Sequence, residues 1–187
     1  MTVFYVCSFG GCGSTALARY LGNFGSRVYH VHSRCPPPRL TEVDLFTEHF
    51  TDVPVDERNV RVLFVYRDPV RAILSRFESP AHLKNIECAP TTLAEVVSSG
   101  RDLYGLSEFF YNYLNSKKRT YPILFVKYEA LFTHLPLLHR MLGIPMRPGV
   151  TLERRETLRV RPEEQALRAI YAPLNRAMEA MPPCASL

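Results

Sequence analysis

The chain has 187 residues, 47% of them apolar, and a formal net charge of +5 from 23 basic and 18 acidic side chains. That length fits a single domain, residues 1–187, burying roughly 70% of its unfolded surface, and interspersed charge fits an anionic ligand better than a nucleic-acid coat. Five cysteines without a C-x-x-C pair exclude zinc ribbons and disulfide-stapled scaffolds, and no stretch approaches the roughly eighteen apolar residues of a membrane span, so a cytoplasmic protein with no membrane partner is expected.

Val3 to Cys7 reads as a buried strand, and a helical pattern runs from about Gly13 or Ser14 to near Phe24. Between them Gly10, Gly11 and Gly13 permit left-handed backbone and close approach of a ligand. The helix start adds free amides and the positive end of its dipole, which together suit an oxyanion. Gly10, Gly11, Cys12, Gly13, Ser14 and Thr15 are therefore candidate phosphate contacts, the last two through hydroxyls as well. The turn departs twice from a nucleotide triphosphatase loop: with that pattern's second glycine on Gly13, Ser8 and Ser14 stand where it needs glycine and lysine, and only Gly13 and Thr15 are in register. It also departs from a cysteine-phosphatase loop, because Arg19 lies seven residues after Cys12 rather than six.

Arg27 to His32 predicts a second strand, and Cys35-Pro-Pro-Pro-Arg39 a stiff loop. Thr41 to Asp44 resembles a helix start. Val60 to Tyr66 reads as a central parallel strand, followed by an Asp68 cap, a first-turn proline at Pro69 and a helix to about Phe77. Ser79 to Pro90 carries little period. Thr92 and Glu95 form a capping box, and Leu103 to Leu114 has helical spacing. Lys117-Lys-Arg119 reads as a solvated cap. Tyr121 to Tyr128 is a further buried strand, short helices follow, and Pro162 opens a final helix with Leu167, Ile170, Leu174 and Met178 along one stripe. Alternating strands and helices predict a three-layer α/β fold with a mostly parallel sheet and a ligand at the carboxyl ends of the strands. The glycine turn, His32 and Arg67 all fall at that edge.

The segment Val62-Leu-Phe-Val-Tyr-Arg-Asp-Pro-Val-Arg-Ala-Ile-Leu-Ser-Arg-Phe77 resembles the sulfotransferase element that grips the 3′-phosphate of 3′-phosphoadenosine 5′-phosphosulfate (PAPS), with Arg67 and Ser75 at the matching spacing. A guanidinium fork and a hydroxyl suit a phosphate dianion. Gly10 to Thr15 is similar to that family's 5′-phosphosulfate loop, Pro-Lys-Ser-Gly-Thr-Thr, except that Gly11 replaces the lysine. Arg34, Arg71 and Arg76 are the open candidates to replace its charge. Val28-Tyr-His-Val-His32 resembles the strand ending Lys-Thr-His, which implies His32 as catalytic base and His30 in the lysine position on the same strand face. Phe125 to Leu131 resembles a family Arg-Tyr-Glu-Asp-Leu stretch, Tyr171 to Asn175 its Tyr-x-Pro-x-Asn, and Arg154, Arg155, Arg159 and Arg161 lie where the family has a basic loop over the nucleotide. The resemblance implies a PAPS-dependent sulfotransferase without a metal, moving a sulfuryl group to an acceptor hydroxyl or amine; a glycan or small alcohol is expected ahead of a peptide, and peptide tyrosine stays open. Two alternatives stay open: a nucleotide-binding protein that transfers nothing, and a small P-loop kinase using Thr15 and Asp68.

Overall fold

Both faces of the central strands are apolar, which requires cover on both sides of the sheet. The computed structural model, which describes residues 2–77, 92–154 and 161–187, supplies it with helices. Strands β1 (Val3–Cys7), β2 (Arg27–Val31), β5 (Val60–Tyr66), β6 (Ile123–Lys127) and β7 (Cys184–Ser186) form one sheet in the order β2-β1-β5-β6-β7. The first four are parallel and β7 runs antiparallel along β6. The fold is thus α/β with a mostly parallel sheet, as the alternation of elements predicts.

Successive residues of each strand feed opposite layers. Phe4, Val6, Leu63, Val65 and Val126 pack with Leu17, Tyr20 and Leu21 of α1 (Ser14–Gly22) and with Tyr128 to Leu142 of α5 (Tyr128–Leu131) and α6 (Leu135–Leu142). Tyr5, Cys7, Val62, Phe64 and Phe125 pack on the other side, against α3 (Leu93–Ser99), α4 (Leu106–Leu114) and α7 (Glu164–Glu179). Helix α2 (Pro69–Phe77) serves both layers, sending Val70, Ile73 and Leu74 to the second and Ala72 to the first. Among the described residues no helix is long and apolar enough to cross a membrane.

Local signals hold at most boundaries. Thr92 and Glu95 make the reciprocal capping box, and Asp68 Oδ1 accepts from the Arg71 amide at 2.9 Å at the start of α2. The reading of Thr41 to Asp44 as a helix start is overturned: these residues are β3 (Thr41–Asp44), paired antiparallel with β4 (His49–Pro54) in a separate hairpin. Asp44 does bond to amides ahead of it, at Phe46 (2.7 Å) and Thr47 (2.9 Å), but this closes a turn, because no apolar helical stripe follows. The edge strand β7 was not foreseen either, since Cys184–Ser186 is too short to carry a period. Ser79 to Pro90, with Cys88, and Arg155 and Arg159 lie outside the described residues.

The order of strands locates the site. β1 has β2 on one side and β5 on the other, so the chain leaves β1 in one direction and later returns across it. At such a reversal the connections splay apart at the carboxyl ends of the strands and leave a crevice. The ends of β1 and β2 are level there, Cys7 being paired with Val31, while β5 runs two residues past Phe64, the partner of Cys7 on the other side. The glycine turn therefore lies between the residues following β2 and those following β5.

Candidate functional site

All three glycines of the turn are in left-handed conformations, with φ of 98° at Gly10, 64° at Gly11 and 76° at Gly13. Close approach is required as well. A Cβ on Gly10 would fall 1.9 Å from an Arg76 nitrogen, one on Gly11 2.3 Å from the Ala72 carbonyl oxygen, and one on Gly13 2.1 Å from the Tyr128 ring. Gly13 is the N-cap residue of α1 and has no side chain to cover the first amides, so the dipole end faces the crevice. Ser8 braces the turn from below: its Oγ accepts from the Gly10 amide at 3.1 Å and donates to Ser14 Oγ at 2.7 Å. Thr15 is exposed at the start of the helix. The Cys12 thiol is buried, donating to the Gly10 carbonyl at 3.1 Å. Burial pushes it up to about 12 despite the nearby charges of Arg67 and Arg76, which leaves Cys12 no role as a thiolate.

Two guanidinium groups reach the turn. Arg67 follows β5 directly; its Nη1 donates to the Gly11 carbonyl at 3.2 Å, and the group lies 4.6 Å from the centre of the Tyr128 ring. Nε of Arg67 is buried and makes no hydrogen bond among the described residues, while Glu129 stands 3.8 Å away. Arg76 is only 2% exposed and sits under the turn, 4.6 Å from the Phe9 ring centre. The helix explains this: Ala72 and Arg76 are four residues apart, on the face of α2 turned to Gly11 and Gly10. The other two candidates for the missing charge lie elsewhere, Arg34 on Glu108 at 2.9 Å and Arg71 at 3.8 Å from Glu164. Ser75 is half-buried near the end of α2, three residues past Ala72. Asp68 is taken up in capping α2 and in a 3.3 Å contact with Arg168.

On the other flank, His30 ends within β2 and His32 follows it. The His32 imidazole is buried, with Nδ1 2.7 Å from the Ser8 carbonyl oxygen. A carbonyl only accepts, so Nδ1 carries the proton and Nε2 a lone pair. Burial, then the neighbouring His30, push His32 down to about 4. Nε2 faces Glu48 Oε2 at 3.1 Å, and Nδ1 of His30 lies 3.0 Å from the same oxygen. The other nitrogen of His30, Nε2, is 2.7 Å from Ser14 Oγ, so this cluster is continuous with the glycine turn. Burial raises the Glu48 carboxyl, but the two imidazoles outweigh it and hold the group below its ordinary value.

Glu48 was invisible in the sequence, sixteen residues from His32 and in no recognisable spacing. The hairpin brings it back: the His32 amide donates to the Glu48 carbonyl at 2.7 Å. Tyr128, in the stretch Phe125 to Leu131, has a structural role: its ring is the wall that shapes Gly13 and underlies Arg67. Its ring also meets Phe132 edge-on at 5.4 Å, and Arg154 lies 5.8 Å from the Phe132 ring centre. Of the basic stretch, Arg154 is thereby placed on the same edge of the sheet. An apolar pocket opens beside Arg67, walled by Phe9, Cys12, Ala72, Leu106 and Phe109.

Comparison with known proteins returns no match to any family model, curated protein or solved structure.

Proposed function

We propose that the crevice binds a bis-phosphorylated adenine nucleotide and that the protein is a sulfotransferase using PAPS. The observation that carries this reading is the convergence of the glycine turn, Arg67 and Arg76 at the point where strand order reverses. Amides from Gly11 to Thr15 would hold the 5′ phosphosulfate, and Arg67 with Ser75 the 3′-phosphate. Arg76 is the proposed replacement for the loop lysine, because it alone of Arg34, Arg71 and Arg76 lies against the turn. Arg154 would close over the nucleotide from the α5 side.

Transfer would break the bond between sulfur and the bridging oxygen and form one from sulfur to an acceptor oxygen or nitrogen. The nucleotide leaves as 3′-phosphoadenosine 5′-phosphate, and the acceptor proton passes to a base. His32 is that base in this reading, through Nε2, with His30 beside it. Catalysis would consist of positioning and charge stabilisation, and the acceptor would be a glycan or small alcohol.

A second reading keeps the nucleotide and drops the transfer. It is favoured by Gly11 in place of the lysine and by Arg76 being buried rather than mobile at the crevice. A labelled-donor assay against mixed hydroxyl acceptors, in wild type and His32→Ala, separates the two. Label transfer lost in the variant supports the enzyme, whereas tight nucleotide binding with no transfer leaves only a binding protein.

A further inference from the structure

We propose that His30, His32 and Glu48 form a three-ligand site for a divalent transition metal of the zinc type. The proposal goes beyond the nucleotide reading and does not depend on it.

The three groups offer ligand atoms that all lie within 4.8 Å of one another. The two shortest separations, 3.0 and 3.1 Å, are close to the edge of about 3.3 Å expected of a tetrahedral ion with ligands at 2.0–2.1 Å. Both ring nitrogens turn to the same buried oxygen of Glu48: Nδ1 of His30 is placed to share a proton with it, and Nε2 of His32 stands beside that contact. A neutral His32 carries its ring proton on Nδ1, toward the Ser8 carbonyl, so Nε2 turns a lone pair to the carboxylate, and either a second proton or a metal ion between the two atoms relieves that contact.

The surroundings match a metal site in two further respects. Histidine ligands are ordinarily oriented by a contact at the ring nitrogen that does not bind metal; here Nδ1–H of His32 donates to the Ser8 carbonyl and Nε2 of His30 lies against Ser14 Oγ, each at 2.7 Å. Glu48 is also the one non-glycine residue with positive φ, 57°, among those described. Such a conformation persists only where the surroundings impose it. They do: its amide donates to Asp44 at 2.8 Å, and its carbonyl accepts from His32 at 2.7 Å. The result is a rigid carboxylate aimed at two rigid imidazoles.

Two imidazoles and one carboxylate suit a borderline ion, and three protein ligands leave a fourth position for water or substrate. An ion there would occupy Nε2 of His32, the nitrogen that the transfer reading uses as base, so His32 would serve as base only in the metal-free protein.

The test is titration of the chelator-treated full chain with Co(II), followed by zinc competition. The expected result is one equivalent bound, with the visible absorption of four- or five-coordinate cobalt, no thiolate charge-transfer band, and displacement by zinc. Glu48→Gln, which keeps the shape of the side chain, and His30→Ala should each lower affinity by roughly tenfold or more. Cys35→Ser, at an exposed thiol that could bind cobalt by itself, should change nothing. No stoichiometric binding, a thiolate band abolished by Cys35→Ser, or wild-type affinity in a folded Glu48→Gln protein would each overturn the proposal. Failure here would leave nucleotide binding untouched, since neither Arg67 nor the turn is involved.

Discussion

Nη1 of Arg67 donates a 3.2 Å hydrogen bond to the carbonyl oxygen of Gly11, tying the end of β5 to the turn after β1. The guanidinium rests on the Tyr128 ring, and its Nε is left without a hydrogen bond among the described residues. A partly buried cation with unused donors, fixed at a helix N-terminus, is suited to an anion. Arg67→Ala should therefore weaken binding of 3′-phosphoadenosine 5′-phosphate by about 2 to 4 kcal/mol, the range of a lost charge-assisted contact in a buried setting. Arg67→Lys, which keeps the charge but not the fork, should recover part of that. Calorimetry on the three proteins decides it, and equal affinities would remove Arg67 from the site.

The glycine turn predicts a graded cost. Gly11→Ala combines left-handed strain, about 1–2 kcal/mol, with an overlap against the Ala72 carbonyl that backbone cannot easily relieve. A total loss of about 2 to 4 kcal/mol in urea unfolding is expected. Gly25→Ala has a similar φ of 74° but open space around it, so only the strain of about 1 kcal/mol should appear. Comparable losses at both positions would mean that the turn does not pack against α2.

The thiol of Cys12 is buried and raised to about 12, and that of Cys7 likewise, whereas Cys35 is exposed. Iodoacetamide at pH 8 should thus label Cys35 in the native protein and spare Cys7 and Cys12, as peptide mass mapping would reveal. Rapid labelling of Cys12 would revive it as a nucleophile.

Asp68 caps α2 and contacts Arg168, which leaves it no evident part in holding magnesium. Asp68→Asn keeps a capping oxygen, so nucleotide affinity should move by no more than about 0.5 kcal/mol. A loss of magnesium-dependent ATP turnover in this variant would instead establish the kinase alternative.

Much of this was legible in the chain because the signals are local. Continuous apolar runs set Val3–Cys7 and Val60–Tyr66 at the expected boundaries, and Pro69 and Thr92 mark helix starts through their own backbone chemistry. Arg67 and the glycines were readable for the same reason, each being set at the end of a strand. Thr41 misled because a polar residue that bonds to amides ahead of it serves a hairpin as readily as a helix. Choosing Arg76 over Arg34 and Arg71 required knowing which face of α2 meets the turn. Glu48 depends on a hairpin folding back onto β2, a long-range contact with no trace in the local pattern.

The most direct test of the central claim is thermal unfolding of the full chain with 3′-phosphoadenosine 5′-phosphate, and separately with ATP and magnesium, in wild type and Arg67→Ala. At a hundredfold excess over Kd a specific ligand contributes about 2.7 kcal/mol, and at roughly 2–4 °C per kcal/mol for a chain of this size Tm should rise by about 5–10 °C. The account predicts that rise with the bis-phosphorylated nucleotide in wild type, and a much smaller one in Arg67→Ala. Stabilisation by ATP and magnesium alone, or an equal rise in the variant, would contradict it.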